Sequence, residues 1–480
     1  MSTLNLIALL PLIILSAGAV LAMLVIAFRR SHALIFGITL VTLLLAFISI
    51  LPASAQGAGQ VTPLLVMDGY AYFIIGLVIA ASFVVALFTY GYYKLHPVQP
   101  EEFYLLLLSA ALGSCVLAAS SHFASLFIGL EILSISLYAM VSYSYKNALS
   151  IEAGVKYLIL ASSSAAFLLF GMALVYAQFG SMAFANIAAN LSPTTSADPI
   201  LLVGLVMMLV GFGFKLALVP FHLWTADVYE GAPAPVTAFI ASISKGSMFA
   251  VLLRFFYPFN IIDQPSLLIV FVILAIATML IGSLLALLQS NLKRLLAYSS
   301  IANLGYLLVA FLAGGANALT ASTFYLVSYF VTILAAFGVV TVLSTGSRDA
   351  GLLEDYRGLF WRHPWLAAIL TFAMFSLAGI PLTVGFVGKF YLVLAGIGSA
   401  LWLPVLVLVL SSAIGLYYYL RVVAVLFAPI SEPVETTKWV PSFSLAGSLA
   451  LAGLLVLLIW LGVYPSPLIQ MIQSIATIAR

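Results

Sequence analysis

Runs of about 20 apolar residues, punctuated by short clusters of charge, Gly and Pro, follow one another along this chain, and a run of that length is what a helix needs to cross a bilayer core. In hydrocarbon every backbone N–H and C=O must be satisfied within the protein, so spanning runs of this kind are helices. The expected fold is an all-α polytopic membrane protein with about fourteen transmembrane helices. They are placed near 5–27, 33–51, 71–91, 103–119, 122–144, 151–178, 199–226, 234–258, 266–289, 295–313, 317–344, 364–397, 400–428 and 441–465. With 65% hydrophobic and 6% charged residues over 480 positions, the chain lies far from the charge content of soluble domains. The spans leave no connecting segment long enough for a soluble nucleotide-binding domain, and no Gly-rich phosphate loop follows a strand-like run. Neither NADH nor ATP is expected to bind here.

Lys and Arg fall unevenly between alternate loops. With the N-terminus outside, the cytoplasmic face collects Arg29, Arg30, Lys94, Lys146, Lys293, Arg294, Arg348, Arg357, Arg362 and Lys438, with Lys156 and Arg421 close by. Only Arg254 and Arg480 fall toward the other face, which places both termini outside. The apolar run from Leu6 to Phe28 has no positive residues before it and reads as an uncleaved first span. The net charge of +3 is dispersed, without a basic run that would track nucleic-acid phosphates. The single cysteine, Cys115, excludes a disulfide within the chain and cannot ligate an iron–sulfur cluster, so it reads as a packing residue.

Against this apolar background four ionisable residues stand near the middle of spans: Glu131, Lys215, Lys245 and Lys389. Each costs roughly 2.5–3.5 kcal/mol at a bilayer centre on insertion scales, so together they oppose folding by on the order of 10 kcal/mol unless compensated. Two of the spans are also interrupted. Pro220 and His222 follow Lys215 at membrane depth, and the run from Gly379 to Gly388, with Pro381 and Gly385, leads directly into Lys389. Proline removes a donor and clashes with the preceding turn, and glycine tolerates the irregular dihedrals, so the seventh and twelfth spans are expected to be broken. Interrupted spans five segments apart are what inverted repeats produce, here helices 4–8 and 9–13. The chain is then one membrane domain over 1–480: three N-terminal helices in 1–100, a first repeat in 101–260, a second in 261–430 and a C-terminal helix in 431–480.

A buried ammonium gives up its proton more readily than one in water, and a nearby carboxylate reverses that. If Glu131 approaches Lys215 the lysine keeps its proton, and if Glu131 turns to another cation the lysine releases it. One central carboxylate set against three ammoniums disfavours a static ion-pair network and favours a lateral proton relay. His222, two turns beyond Lys215 if the helix continued, suits proton hand-off. Glu152 and Lys156 form an i,i+4 pair at the cytoplasmic end of the sixth span, either an entry gate or mutual neutralisation. Tyr298, Ser299 and Ser300 could line a hydrated path, although hydroxyls also bond helix backbones. Asp227 and Glu230 read as loop residues after the seventh span, and Arg254 has no assigned role.

The runs GFKLALVPFHLWTADVYEGAPAPVTAFIASISK (213–245), NLKRLLAYSSIANLGYLL (291–308), LAGIPLTVGFVGKFYL (377–392) and SAIGLYYYLRV (412–422) strongly resemble the antiporter-like membrane subunits of respiratory complex I. The likeness covers essentially the whole chain and is greatest to the N-type branch, related to mitochondrial subunit 2. It implies fourteen helices with two inverted five-helix repeats, and proton-relay roles for Glu131, Lys215, Lys245 and Lys389. Close relatives often carry glutamate at the last position, so Lys389 favours the N-type branch over the M-type. Ala226 departs from the family, which commonly has proline there. The implied activity is proton translocation in the bacterial inner membrane, driven by NADH:quinone oxidoreduction elsewhere in the complex. No cofactor is implied in this chain; flavin, iron–sulfur clusters and quinone belong to partner subunits. Implied partners are other antiporter-like and small membrane-arm subunits, the peripheral arm indirectly, and lipid. The alternatives are a subunit of a multisubunit sodium/proton antiporter or membrane-bound hydrogenase, or a structural subunit without a proton path.

Overall fold

A computed structural model describes residues 3–57, 59–96, 98–191, 198–259, 261–345, 348–429 and 444–478. Lys438 and Arg480 lie outside the described residues. Thirteen helices among those described are long and apolar enough to cross a membrane. In chain order they begin with α1 (Leu10–Phe28), α2 (His32–Ser54), α3 (Gly69–Leu95), α4 (Glu101–Ala119), α5 (Phe123–Val141), α6 (Ala148–Phe179) and α7 (Pro199–Leu216). A short α8 (Trp224–Gly231) precedes α9 (Ala234–Phe256), α10 (Pro265–Leu287), α11 (Leu292–Ala313) and α12 (Gly315–Leu343). Two shorter apolar helices, α13 (Pro364–Ala378) and α14 (Val384–Gly398), fall where the twelfth span is expected; α15 (Trp402–Phe427) and α16 (Leu445–Val463) follow, then α17 (Ser466–Ile478). The only strands among the described residues form a small antiparallel hairpin, β1 (Gly59–Thr62) with β2 (Leu65–Met67), between α2 and α3.

Local chemistry sets the helix ends. Asp68 accepts from the Ala71 N–H at 2.7 Å, Asn147 from Leu149 at 3.0 Å and Asn291 from Lys293 at 2.9 Å, each satisfying an orphan donor of a first turn. Gly180 closes α6 in the left-handed conformation. Helices pack closely where side chains are absent: a Cβ on Gly113 of α4 would stand 2.6 Å from the Leu133 nitrogen of α5, and one on Gly129 would meet the Gly113 carbonyl at 3.1 Å. Such close approach is the usual source of helix association in lipid, where the solvent is as apolar as the side chains.

Burial is graded. Every residue in the apolar windows of α9 and α12 is buried and 94% of that of α11, whereas only 33–39% of the windows of α1, α2, α6, α10 and α16 is buried. The three enclosed helices form the interior axis, and the lysine sites lie on or against it.

Both expected interruptions are present. α7 stops at Leu216, with Ala217 left-handed, and α8 resumes at Trp224, so Pro220 and His222 lie in the gap. α13 stops at Ala378 with Gly379 left-handed, and α14 resumes at Val384, so Pro381 lies in the gap. Gly385 is not in the gap itself. It occupies the first turn of α14, where its N–H donates to Ser376 Oγ at 3.1 Å and an added Cβ would stand 1.9 Å from the Ser376 carbonyl oxygen. α9 carries an irregularity that the sequence did not announce: Ile240–Ser244 form a π-turn immediately before Lys245.

Candidate functional site: a row of buried lysines

Lys215, Lys245 and Lys389 are 4%, 1% and 7% exposed, so each ammonium must find its acceptors inside the protein. None is ion-paired among the described residues; oxygen atoms without formal charge take that place. Lys215, in the last turn of α7, donates to Ser134 Oγ of α5 at 2.7 Å and to the Tyr157 hydroxyl of α6 at 3.3 Å. Lys245 donates to Ser300 Oγ of α11 at 2.6 Å. Lys389 donates to the carbonyls of Leu377 and Ala378, at 2.7 and 3.2 Å, and to Ser412 Oγ of α15 at 2.9 Å. Each ammonium also lies over a tyrosine face: Tyr157 for Lys215 at 5.1 Å, Tyr229 for Lys245 at 5.3 Å and Tyr306 for Lys389 at 5.2 Å. A ring's negative face attracts a cation without binding its proton.

Glu131 lies on α5 one turn before Ser134. It is half-buried and makes no ion pair with Lys215, although the two charges interact electrostatically.

Between the lysines runs a set of hydroxyl and amide groups. Ser300 receives a hydrogen bond from Tyr329 at 2.7 Å as well as from Lys245, and the Tyr229 hydroxyl stands 3.4 Å away. The neighbouring Ser299 bonds Tyr419, and Asn303 bonds Ser299 and accepts from Tyr325. Farther on, the Tyr306 hydroxyl bonds Ser411 at 2.9 Å, next to the Ser412 that holds Lys389. Hydroxyls both give and accept hydrogen bonds, so each group in this row can serve a neighbour on either side.

The supporting residues divide. Ser299 and Ser300 stand in the row, whereas Tyr298 is half-buried on another side of α11 with its carbonyl against Gly282 of α10. His222 is buried with no hydrogen-bond partner for its Nδ1 among the described residues, and it does not bond Lys215. Glu152 and Lys156 do pair, at 2.7 Å, but on an exposed surface. Lys156 also reaches Asp227 at 2.9 Å, and Arg294 binds Asp227 and Glu230, both at 2.8 Å. The two loop carboxylates thus tie α8 to α6 and α11. Burial works to raise the Asp227 carboxyl, but hydrogen bonds from Lys156 and Arg294 outweigh it and hold it below the usual carboxylate range.

The tyrosines of the row were not singled out from the sequence, although Tyr306, Tyr325 and Tyr329 stand inside apolar runs, where a buried hydroxyl needs a partner. Lys293 was missed as well. Its side chain is 1% exposed, and it donates to the Glu230 and Ala232 carbonyls at 2.9 and 2.7 Å while pairing with Asp349 at 2.7 Å. Arg254, left without a role, grips Asp68 through two hydrogen bonds of 2.8 and 2.9 Å. That pair joins the end of α9 to the start of α3, and burial's tendency to raise the Asp68 carboxyl is overcome by the guanidinium, which lowers it.

The profile described as NADH:quinone oxidoreductase/Mrp antiporter, transmembrane, matches residues 120–415, which contain all four central charges. NADH-quinone oxidoreductase subunit N of Ectopseudomonas mendocina is 49% identical over 99% of this chain and 97% of that relative. Among solved structures, a chain of respiratory complex I from Thermus thermophilus is 32% identical, covering 96% of this chain and 98% of that one with a TM-score of 0.82. A chain of the archaeal membrane-bound sulfane sulfur reductase (24% identity, TM-score 0.85, 99% and 98% covered) and one of the Mrp complex from Dietzia (21%, 0.83, 99% and 97%) share the fold. The chain belongs to the family of transmembrane subunits common to NADH:quinone oxidoreductase and the Mrp antiporters.

Proposed function

We propose that this chain is a proton-translocating membrane-arm subunit of a bacterial NADH:quinone oxidoreductase, in which Glu131, Lys215, Lys245 and Lys389 relay protons. Electron transfer from NADH to quinone, with its flavin and iron–sulfur centres, takes place in partner subunits and drives the relay. The observation that carries this reading is that three buried ammoniums rest on neutral oxygens rather than carboxylates. A lysine locked to a carboxylate is a structural cation, whereas one held by hydroxyls can lose its proton and leave those hydroxyls hydrogen-bonded to the neutral amine. The two halves would act as inverted repeats, helices 4–8 and 9–13, with the breaks near mid-membrane. The charge asymmetry supports an inner-membrane orientation with both termini periplasmic.

The test is NADH-driven proton uptake by assembled enzyme in inverted membrane vesicles. Lys215→Ala and Lys245→Ala are expected to lower the proton-to-electron ratio and the coupled rate; unchanged values in both would overturn the relay. A second reading, a sodium/proton antiporter subunit, draws on the likeness to the Mrp chain. Co-purification of a flavin-bearing peripheral arm separates the two.

A further inference from the structure

A slot of about 400 Å³ lies between α3, α12 and α16, under α17. Its floor is α12, where Phe330 and Leu334 are 1% and 3% exposed and stand near the middle of the helix. Ala80 of α3 and Trp460 of α16 form the sides, and Met471 of α17 covers one end. No polar side chain lines the slot other than the indole of Trp460, so it gives water and protons nothing to bond and stays dry. Its mouth lies at membrane depth, where Ala80, Trp460 and Met471 are exposed on the outer side of spanning helices and meet hydrocarbon.

The dimensions select what enters. The lining runs from Leu77 to Val84 on α3, from Val327 to Leu334 on α12 and from Leu454 to Leu461 on α16, each about 10 Å of helix. Spread over that length, about 400 Å³ leaves a cross-section of about 40 Å², roughly half or less of that of a helix 10–12 Å across. A spanning helix of a partner does not fit, whereas a flexible polymethylene chain does. From beneath α17 to the middle of α12 is also roughly the depth of one leaflet, half of a hydrocarbon core about 30 Å thick.

The floor is at the same time the back of the Lys245 site. The Phe330 ring presses on Gly246, the residue after Lys245, where a Cβ would stand 2.4 Å from the ring. Tyr329, the residue before Phe330, donates at 2.7 Å to the Ser300 that also accepts from Lys245. One turn of α12 therefore borders the slot and holds the ammonium's acceptor.

We propose that this slot binds an acyl chain of a membrane phospholipid, and that the bound chain keeps Phe330 seated against Gly246. An empty slot leaves the ring without partners on one face and gives it a void to turn into; a filled slot closes that route and fixes the packing behind Lys245. Binding of the chain does not depend on the relay reading, but its effect on proton movement does.

The test is photolabelling of assembled enzyme in proteoliposomes whose phospholipid carries a diazirine midway along one acyl chain. Label is expected on Phe330 or Leu334, which lipid outside the slot does not reach. Ala80→Trp, which fills the mouth from an exposed position, is expected to remove most of that label and to lower NADH-driven proton uptake about two- to threefold. Val456→Trp, on α16 at a position 63% exposed and outside the slot, is expected to change neither. Label confined to exposed residues of α3 and α16, with none on α12, would overturn the site. Displacement of the α12 label by an equal amount of long-tailed quinone would give the slot to an isoprenoid tail and overturn the acyl assignment. Loss of label in Ala80→Trp with full uptake would keep the site and overturn its influence on Lys245. Full uptake in Lys245→Ala would remove the relay and leave the labelling result standing. If Ala80→Trp fails to assemble, the position of the label in the unsubstituted enzyme decides.

Discussion

The two broken helices use their lysines in opposite ways. At the first break Lys215 belongs to the half that ends, one residue before the terminus of α7, and its ammonium turns to hydroxyls on α5 and α6. At the second break Lys389 belongs to the half that begins, and it reaches back to the last carbonyls of α13. Those carbonyls are the negative end of a helix dipole, fixed in place and without a proton to exchange. Its path runs over Gly379, where a Cβ would stand 3.0 Å from the lysine chain. The first lysine is thus held by groups that rotate and lies in the field of Glu131, whereas two of the three acceptors of the second are fixed carbonyls. Similar breaks hold their lysines by different acceptors, hydroxyls at the first and two carbonyls with one hydroxyl at the second.

The sharpest way to break this comparison is Lys215→Arg. If exchange at the first break requires release of the proton, arginine is expected to fail as badly as alanine, about tenfold or more in coupled proton uptake, or at least about 1.4 kcal/mol of barrier. Full activity in Lys215→Arg would mean that the first break works without release of a proton from residue 215. Glu131→Gln is expected to come next, with a loss of a few-fold, because it removes the tuning field but leaves the hydroxyls of Ser134 and Tyr157 in place. Stability contrasts the breaks in the other direction. Gly385→Ala drives a Cβ into the Ser376 backbone at 1.9 Å, whereas Gly213→Ala meets the Phe221 ring at 2.7 Å, which can turn aside. The first substitution is expected to cost about 1–3 kcal/mol and to lower Tm in detergent; the second is expected to cost less. Among the ligands, Ser134→Ala is expected to slow turnover more than Ser412→Ala, since Lys389 retains two carbonyls and Lys215 only one weaker hydroxyl bond.

The smallest expected effect is on pH dependence. Asp227 and Asp68 are held below the usual carboxylate range, so their contribution to stability is present above about pH 4 and is lost only as pH falls through the lowered values. Thermal melts between pH 8 and 5.5 are expected to show no loss traceable to either. A drop that Asp227→Asn abolishes would mean that the α6–α8–α11 cluster is looser than its geometry.

The spans and both breaks were legible because hydrophobic runs and Pro/Gly interruptions act locally. Lys215, Lys245 and Lys389 were legible because charge in hydrocarbon is costly wherever it falls. The partners were not: Ser300 lies 55 residues from Lys245, and Ser134 lies 81 from Lys215, so no local spacing joins them. The π-turn before Lys245 has no marker, since IASIS reads as ordinary helix. His222 looked apt through a periodicity that the break itself interrupts. Lys293 looked like one more loop cation because its acceptors, the Glu230 and Ala232 carbonyls, carry no side-chain signature.

The complete enclosure of α9 also constrains the order of assembly. Ser300, which receives the Lys245 ammonium, and Tyr329, which bonds that serine, both lie later in the chain, on α11 and α12. Lys215 finds Ser134 and Tyr157 already made, and Lys389 finds Leu377 and Ala378. During synthesis the first lysine enters a prepared site and the third finds two of its three acceptors, with Ser412 following on the next helix, while Lys245 waits for roughly three further spans of about 20 residues. Until then its charge has to be sheltered by the insertion machinery or by water at the membrane edge. Truncation after α10 should therefore yield a fragment in which α9 inserts poorly, although its composition alone would let it cross.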